Sequence, residues 1–303
     1  MSPDTFEIAK AISSLKDESS ILKDYIFPLI STIVTVFLGY KLAERSFNHQ
    51  EKIKSEIAKV NSYNRFFVGL DAVFQTLIAI KRIYAAKIDS DPLNRALYIP
   101  KMVGHVFDPP DVNSISFLSE KNEYYGALKI YDGWSNLARL NTMVGNYARL
   151  QNVIVTRNNQ KDIFNAILKE TIPVNGQIDI LKAFEKNPSE LAKLIDATES
   201  MISLVDSLIR EVYSCLTELS DDVSKIINTK LIEGHVNILT YKNISEELML
   251  LLHFSPQFSA YNLVGLLGMN EYEIVSLYKT GYEDMKYKFM DYPEYTKIKP
   301  KNS

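Results

Sequence analysis

Between Leu191 and Ile227 the apolar residues recur at intervals of three and four: Leu191, Leu194, Ile195, Met201, Ile202, Val205, Leu208, Ile209, Val212, Leu216, Leu219, Val223, Ile226 and Ile227. At ~3.6 residues per turn this spacing keeps one helical face apolar for about ten turns. Acidic and basic residues fill the positions between. A stripe of that length must be covered by helices of similar length, so the segment 188–229 requires long partners. Two stretches qualify, 41–89 and 120–156.

In the first, Tyr63, Phe66, Phe67, Leu70, Val73, Phe74, Leu77, Ile78 and Tyr84 form a broad stripe, and no proline falls between Pro28 and Pro92. In the second, Tyr124, Leu128, Tyr131, Leu137, Leu140, Val144, Tyr147 and Leu150 do so, with Gly126, Gly133 and Gly145 inside it as expected sites of close packing. Asp89-Ser-Asp-Pro ends the first helix, and residues 90–119 read as a connector around the stiff Asp108-Pro-Pro-Asp111 turn. The polar run from Thr156 to Asp162 reads as a break, with Asn159 as a cap. A short helix follows at 177–186, then a start at Asn187–Pro188 and another at Asn243 or Ser245. With only 11 Gly and 11 Pro in 303 residues, long helices are favoured over many short strands. The expectation is an all-α chain. It comprises a short N-terminal helix (1–20), a transmembrane helix (21–43), an elongated bundle of long antiparallel helices with coiled-coil character (44–233) and a short-helix region with a tail (234–303).

The transmembrane expectation rests on the absence of charge between Asp24 and Lys41, where Ile26, Phe27, Leu29, Ile30, Ile33, Val34, Val36, Phe37 and Leu38 are concentrated. A crossing takes about 17–25 residues, so the uncharged part is at the short edge. Leu42 and Ala43 extend it if Lys41 carries its amine to the headgroups. Tyr25 and Tyr40 bracket the run as interfacial aromatics do, and Lys41 and Arg45 complete the anchor set. A signal peptide is disfavoured, because the run begins late and no small-x-small cleavage site follows it. The competing reading is a core helix of a soluble protein. Lys41, Arg45, Lys52, Lys54 and Lys59 outnumber Lys10, Lys16 and Lys23, which predicts the N-terminus outside and the bulk of the chain in the cytoplasm.

Ser31, Thr35, Gly39 and Ala43 fall at every fourth position of this run. Small residues on one face let two helices approach closely, so they form a candidate seam for self-association or a mildly polar stripe in a pore.

No nucleotide-binding glycine motif, nucleophile elbow or zincin motif occurs. The 4 histidines are scattered, and the single cysteine, Cys215, sits in an apolar stripe. Neither catalytic residues, nor cofactor contacts, nor metal ligands are expected. A net charge of −3 gives no reason to expect nucleic-acid binding. The Lys- and Tyr-rich tail reads as surface. Abundant Lys, Ile, Asn and Tyr suggest an AT-rich, bacterial coding sequence. The expected function is non-enzymatic: a single-pass inner-membrane interaction or sensor module, self-associating through its span and holding a cytoplasmic protein partner. The alternatives are a pore-forming or depolarising effector, and a soluble adaptor or enzyme in which residues 25–43 are a core helix.

Overall fold

In the computed structural model, residues 6–11, 13–14, 25–102, 108–121, 133–171, 188–243, 245–261, 263–264 and 268–277 are described. The fold is all-helical, with no strand among these residues. The helices are α1 (Phe27–Tyr84), α2 (Pro92–Tyr98), α3 (Leu137–Thr171), α4 (Pro188–Ile226), α5 (Thr229–Ile232), α6 (Glu246–Leu251) and α7 (Glu271–Leu277), with a 3₁₀ helix at Val112–Lys121. The chain divides into two compact units, Met1–Ala58 with Lys230–His235, and Lys59–Thr229 with Val236–Ser303.

The first unit holds the opening part of α1, a single helix of 58 residues. Pro28 sits in its first turn, where the missing N–H is no loss. Every residue from Tyr25 to Ala43 is exposed. Among the described residues no helix is long and apolar enough to cross a membrane. The charge-free stretch is too short alone: from Tyr25 to Tyr40 it rises about 24 Å at ~1.5 Å per residue, against a hydrocarbon core of ~30 Å. Gly234, with φ 78°, follows the short helix α5, and the His235 N–H bonds back to the Ile232 carbonyl at 2.9 Å.

In the second unit α4 is the central helix. The expected stripe of α1 is buried from Tyr63 to Tyr84, and that of α4 from Leu191 to Val223. Phe74 of α1 meets Tyr213 of α4 at 5.9 Å between ring centroids, and Lys81 meets Asp206. On the other side Arg139 of α3 meets Glu211, and Arg157 meets Thr198. Residue numbers rise along one helix as they fall along the other, so α1 and α3 both run antiparallel to α4. A second apolar cluster joins Ala96, Phe164, Leu191, Leu194, Ile195, Leu263 and Ile274.

Several expectations need correction. The segment 90–119 is not a bare connector, because Asp91 caps the Leu93 N–H and Pro92 starts α2. Asp111 caps the following 3₁₀ turn through the Asn113 N–H at 2.9 Å. The second long helix begins at Leu137, where the Asn136 side chain accepts from the Ala138 N–H at 3.0 Å. It does not break at Thr156–Asp162 but continues to Thr171. Gly145 has open space around it, so close packing is not its role, and Gly133 precedes the helix. Gly69 is the glycine at a close approach, since a Cβ there would lie 3.1 Å from Pro110 Cβ. Ser245, rather than Asn243, caps α6. Gly126, His105, Pro173, the helix at 177–186, Asn187 and the tail lie outside the described residues.

Candidate functional site

Two features carry chemistry, one in each unit. The first is the apolar arm. Phe27, Leu29, Ile33, Val36, Phe37 and Leu38 are each more than half exposed. On a helix of 100° per residue these side chains cover well over half the circumference. The remaining face carries Pro28, Ser31, Thr32, Thr35 and Gly39. Its hydroxyls are occupied. Ser31 and Thr32 donate to the Pro28 carbonyl at 2.9 and 2.8 Å, and Thr35 donates to the Ser31 carbonyl at 2.7 Å. Spending these donors on the helix backbone lowers their cost in an apolar medium. Ser31, Thr35, Gly39 and Ala43 are exposed, and among the described residues nothing lies within 4 Å of a Cβ at Gly39. The anchor residues Tyr25, Tyr40, Lys41 and Arg45 are exposed as well. Lys41 pairs with Glu44 at 2.9 Å and lies 6.0 Å from the Tyr40 ring centroid.

The second feature was not foreseen. Charged residues of α4 that read as a solvated face are buried in its middle, including Glu199, Asp206, Arg210 and Glu211. The three carboxylates each find an opposite charge from a neighbouring element: Glu199 meets Arg95, Asp206 meets Lys81 and Glu211 meets Arg139. Lys81 Nζ lies 2.9 Å from Asp206 Oδ1, and it also donates to the His253 carbonyl. The other oxygen of Asp206 accepts from the Ser255 N–H. Arg95 Nη1 donates to Glu199 Oε2 at 2.8 Å, its Nε donates to the Asp89 carbonyl at 2.6 Å, and its Nη2 donates to the Pro256 carbonyl. The two ion pairs therefore fasten the irregular segment 253–256 to α4. Arg210 stacks over Phe254 at 4.1 Å.

A cavity of about 420 Å³ opens beside this cluster, lined by Glu199, Ile202, Asp206, Phe254, Phe258 and Val275 among others. Glu199 Oε1 is buried and has no hydrogen-bond partner among the described residues. Burial pushes the Glu199 carboxyl up to about 7; Arg95 opposes this by charge and hydrogen bond, and Asp206 adds to it.

A further polar set explains why α3 does not break. Arg157 is buried and donates to the Ile99 carbonyl, to the Pro100 carbonyl at 2.7 Å and to Thr198 Oγ1 at 3.2 Å. Lys161, one turn on, donates to the Ala96 and Leu97 carbonyls at 3.0 and 2.7 Å. These are carbonyls that the end of α2 leaves without helical partners. Asn158 accepts from the Met102 N–H and donates to its carbonyl. Burial lowers the Lys161 ammonium to about 8, with Arg157 adding to the shift.

Cys215 is fully buried, and desolvation raises its thiol well above the usual range. That protonated thiol is a core hydrophobe and not a nucleophile. Among the described residues no group of three or more His, Cys, Asp or Glu is placed to hold a metal ion. Compared with known proteins, the chain matches no family model, no curated protein and no solved structure.

The buried charges left a signal in the sequence. Glu199 and Asp206 flank Ile202 at three and four residues, and Lys81 follows Leu77 and Ile78 at four and three. They fall in register with the apolar stripes, where a solvated charge is out of place.

Proposed function

We propose that the chain is a non-enzymatic, membrane-tethered helical interaction module, anchored by residues 25–43 and presenting the body that begins at Lys59. One observation supports it above the others: a charge-free helical arm whose large apolar side chains are left uncovered by the rest of the chain. Exposed apolar surface of this extent marks a lipid or protein contact. Lipid is the occupant favoured by the satisfied hydroxyls and by the tyrosines at both ends. The short charge-free length is accommodated when Leu42 and Ala43 enter the apolar layer and Lys41 reaches back to the headgroups, with local bilayer thinning. The lysine excess on the C-terminal side of the arm supports an orientation with the N-terminus outside and the body in the cytoplasm, and the abundance of Lys, Ile, Asn and Tyr supports a bacterial source. Two arms then meet along Ser31, Thr35, Gly39 and Ala43, and the body holds a cytoplasmic protein partner.

Fractionation of full-length protein against an Ile33→Asp/Phe37→Asp variant tests the tether. Each central charge costs about 2.5–3.5 kcal/mol on insertion. Wild type is expected with the membranes and the variant in the supernatant. Equal partition of the two would remove the arm from any membrane role.

A further inference from the structure

The cavity beside Glu199 is independent of the arm. Its lining is mostly apolar, through Ile202, Phe254, Phe258 and Val275, with a few polar groups converging on it. Its size is within the range of small-molecule sites, roughly 300–1,000 Å³. The chemistry of its occupant can be read from the charges. Asp206 is committed to Lys81 and to the Ser255 N–H, and Glu199 Oε2 to Arg95. Arg95 donates to the Asp89 carbonyl, Glu199 Oε2 and the Pro256 carbonyl. Among the described residues Glu199 Oε1 accepts nothing, in a residue 2% exposed; Ser255 Oγ also lacks a hydrogen-bond partner, as does Asp206 Oδ1, which faces the Lys81 charge instead. A buried acceptor without a donor is a standing cost that a ligand N–H or O–H would remove. A cationic ligand would meet Arg95 in the wall, and an anionic one would meet Glu199 and Asp206.

We propose that this cavity binds a small, neutral, largely apolar molecule, such as a fused aromatic ring, that carries one hydrogen-bond donor directed at Glu199 Oε1. Arg95 is a positioning residue: its bond to Oε2 fixes the carboxyl group in the cavity wall. Phe254, held under Arg210, and Phe258 supply aromatic faces for the ring.

The test uses the full-length protein at pH 8, where the Glu199 carboxyl is ionised, and two probes of one shape, indole and benzothiophene, by isothermal titration. Benzothiophene lacks the donor. Wild type is expected to bind indole saturably, at one site and about tenfold more tightly than benzothiophene, the preference a satisfied buried acceptor gives. Glu199→Gln keeps an oxygen for Arg95 and turns an amide N–H₂ toward the cavity. It should abolish the preference by weakening indole and leaving benzothiophene unchanged. Val275→Trp, at the half-exposed rim, should block both probes without touching the ion pairs, and it corrects for partition into detergent. Three outcomes would each overturn the proposal: no saturable indole binding by wild type, equal affinity for the two probes, or a Val275→Trp protein that binds as wild type does.

Discussion

Lys81 Nζ lies 2.9 Å from Asp206 Oδ1, and the two side chains are only 2% and 5% exposed. An ion pair so far from water is held by its geometry, not by its charge alone. Its desolvation cost is offset only while the pair is complete and its other bonds, to the His253 carbonyl and the Ser255 N–H, are made. Lys81→Met should therefore cost about 3–5 kcal/mol, because it leaves the buried Asp206 without its ion-pair partner. The double variant Lys81→Met/Asp206→Leu should recover most of that loss. Urea titration of the three proteins measures it; a double variant no more stable than the single would show that the pair contributes more than mutual neutralisation.

Arg157 supports the α2 end in the same manner. Arg157→Leu strips donors from the Ile99 and Pro100 carbonyls, at about 1–3 kcal/mol for each buried acceptor left without one. Hydrogen exchange should speed up at the end of α2 and around Met102 before it does in the middle of α4. Uniform acceleration throughout would contradict the local role given to this side chain.

Glu199 makes stability depend on pH with a definite sign. Its ordinary value is 4.5 and its folded value about 7, so between these the folded state binds the extra proton. Stability from this group is complete below about pH 4.5, falls as pH rises to 7, and is level above. Arg95 and Asp206 face the carboxyl, and Tyr84 lies within reach of its charge. Thermal melts at pH 5 and 8 should show wild type losing more stability than Glu199→Gln does over that range. Parallel losses would show that the carboxyl titrates at its ordinary value.

Gly39→Ile separates folding from association. Among the described residues nothing lies within 4 Å of a Cβ at this position, so the melting temperature should be unchanged. If two arms pack along the Ser31–Ala43 face, a β-branched side chain holds them apart and chemical cross-linking of the membrane-embedded protein should fall. Undiminished cross-linking would remove the seam from the account.

The long stripes were legible because their period is set by helix geometry, which every partner must respect. Tyr63 to Tyr84 and Leu191 to Val223 went into the core as spaced. Buried charge was not legible in the same way. Glu199, Asp206 and Arg157 look like solvated residues until their partners on other elements are known, and those partners, side chains and backbone groups alike, lie about 40 to 125 positions away. The misplaced break at Thr156–Asp162 has the same origin. Local propensity disfavours the helix there, but fastening of Arg157, Asn158 and Lys161 to residues 96–102 overrides it. Along the arm, sequence gave the apolar run, and the structure added that its hydroxyls bond inward and its side chains stay uncovered.

The central claim is that residues 25–43 tether the body at a membrane, and carbonate extraction of full-length protein with protease access to a C-terminal tag tests it most directly. The account predicts that the protein stays in the carbonate-resistant pellet and that the tag is protected in intact cells and cleaved once they are opened. Release of the chain into the carbonate supernatant would contradict it.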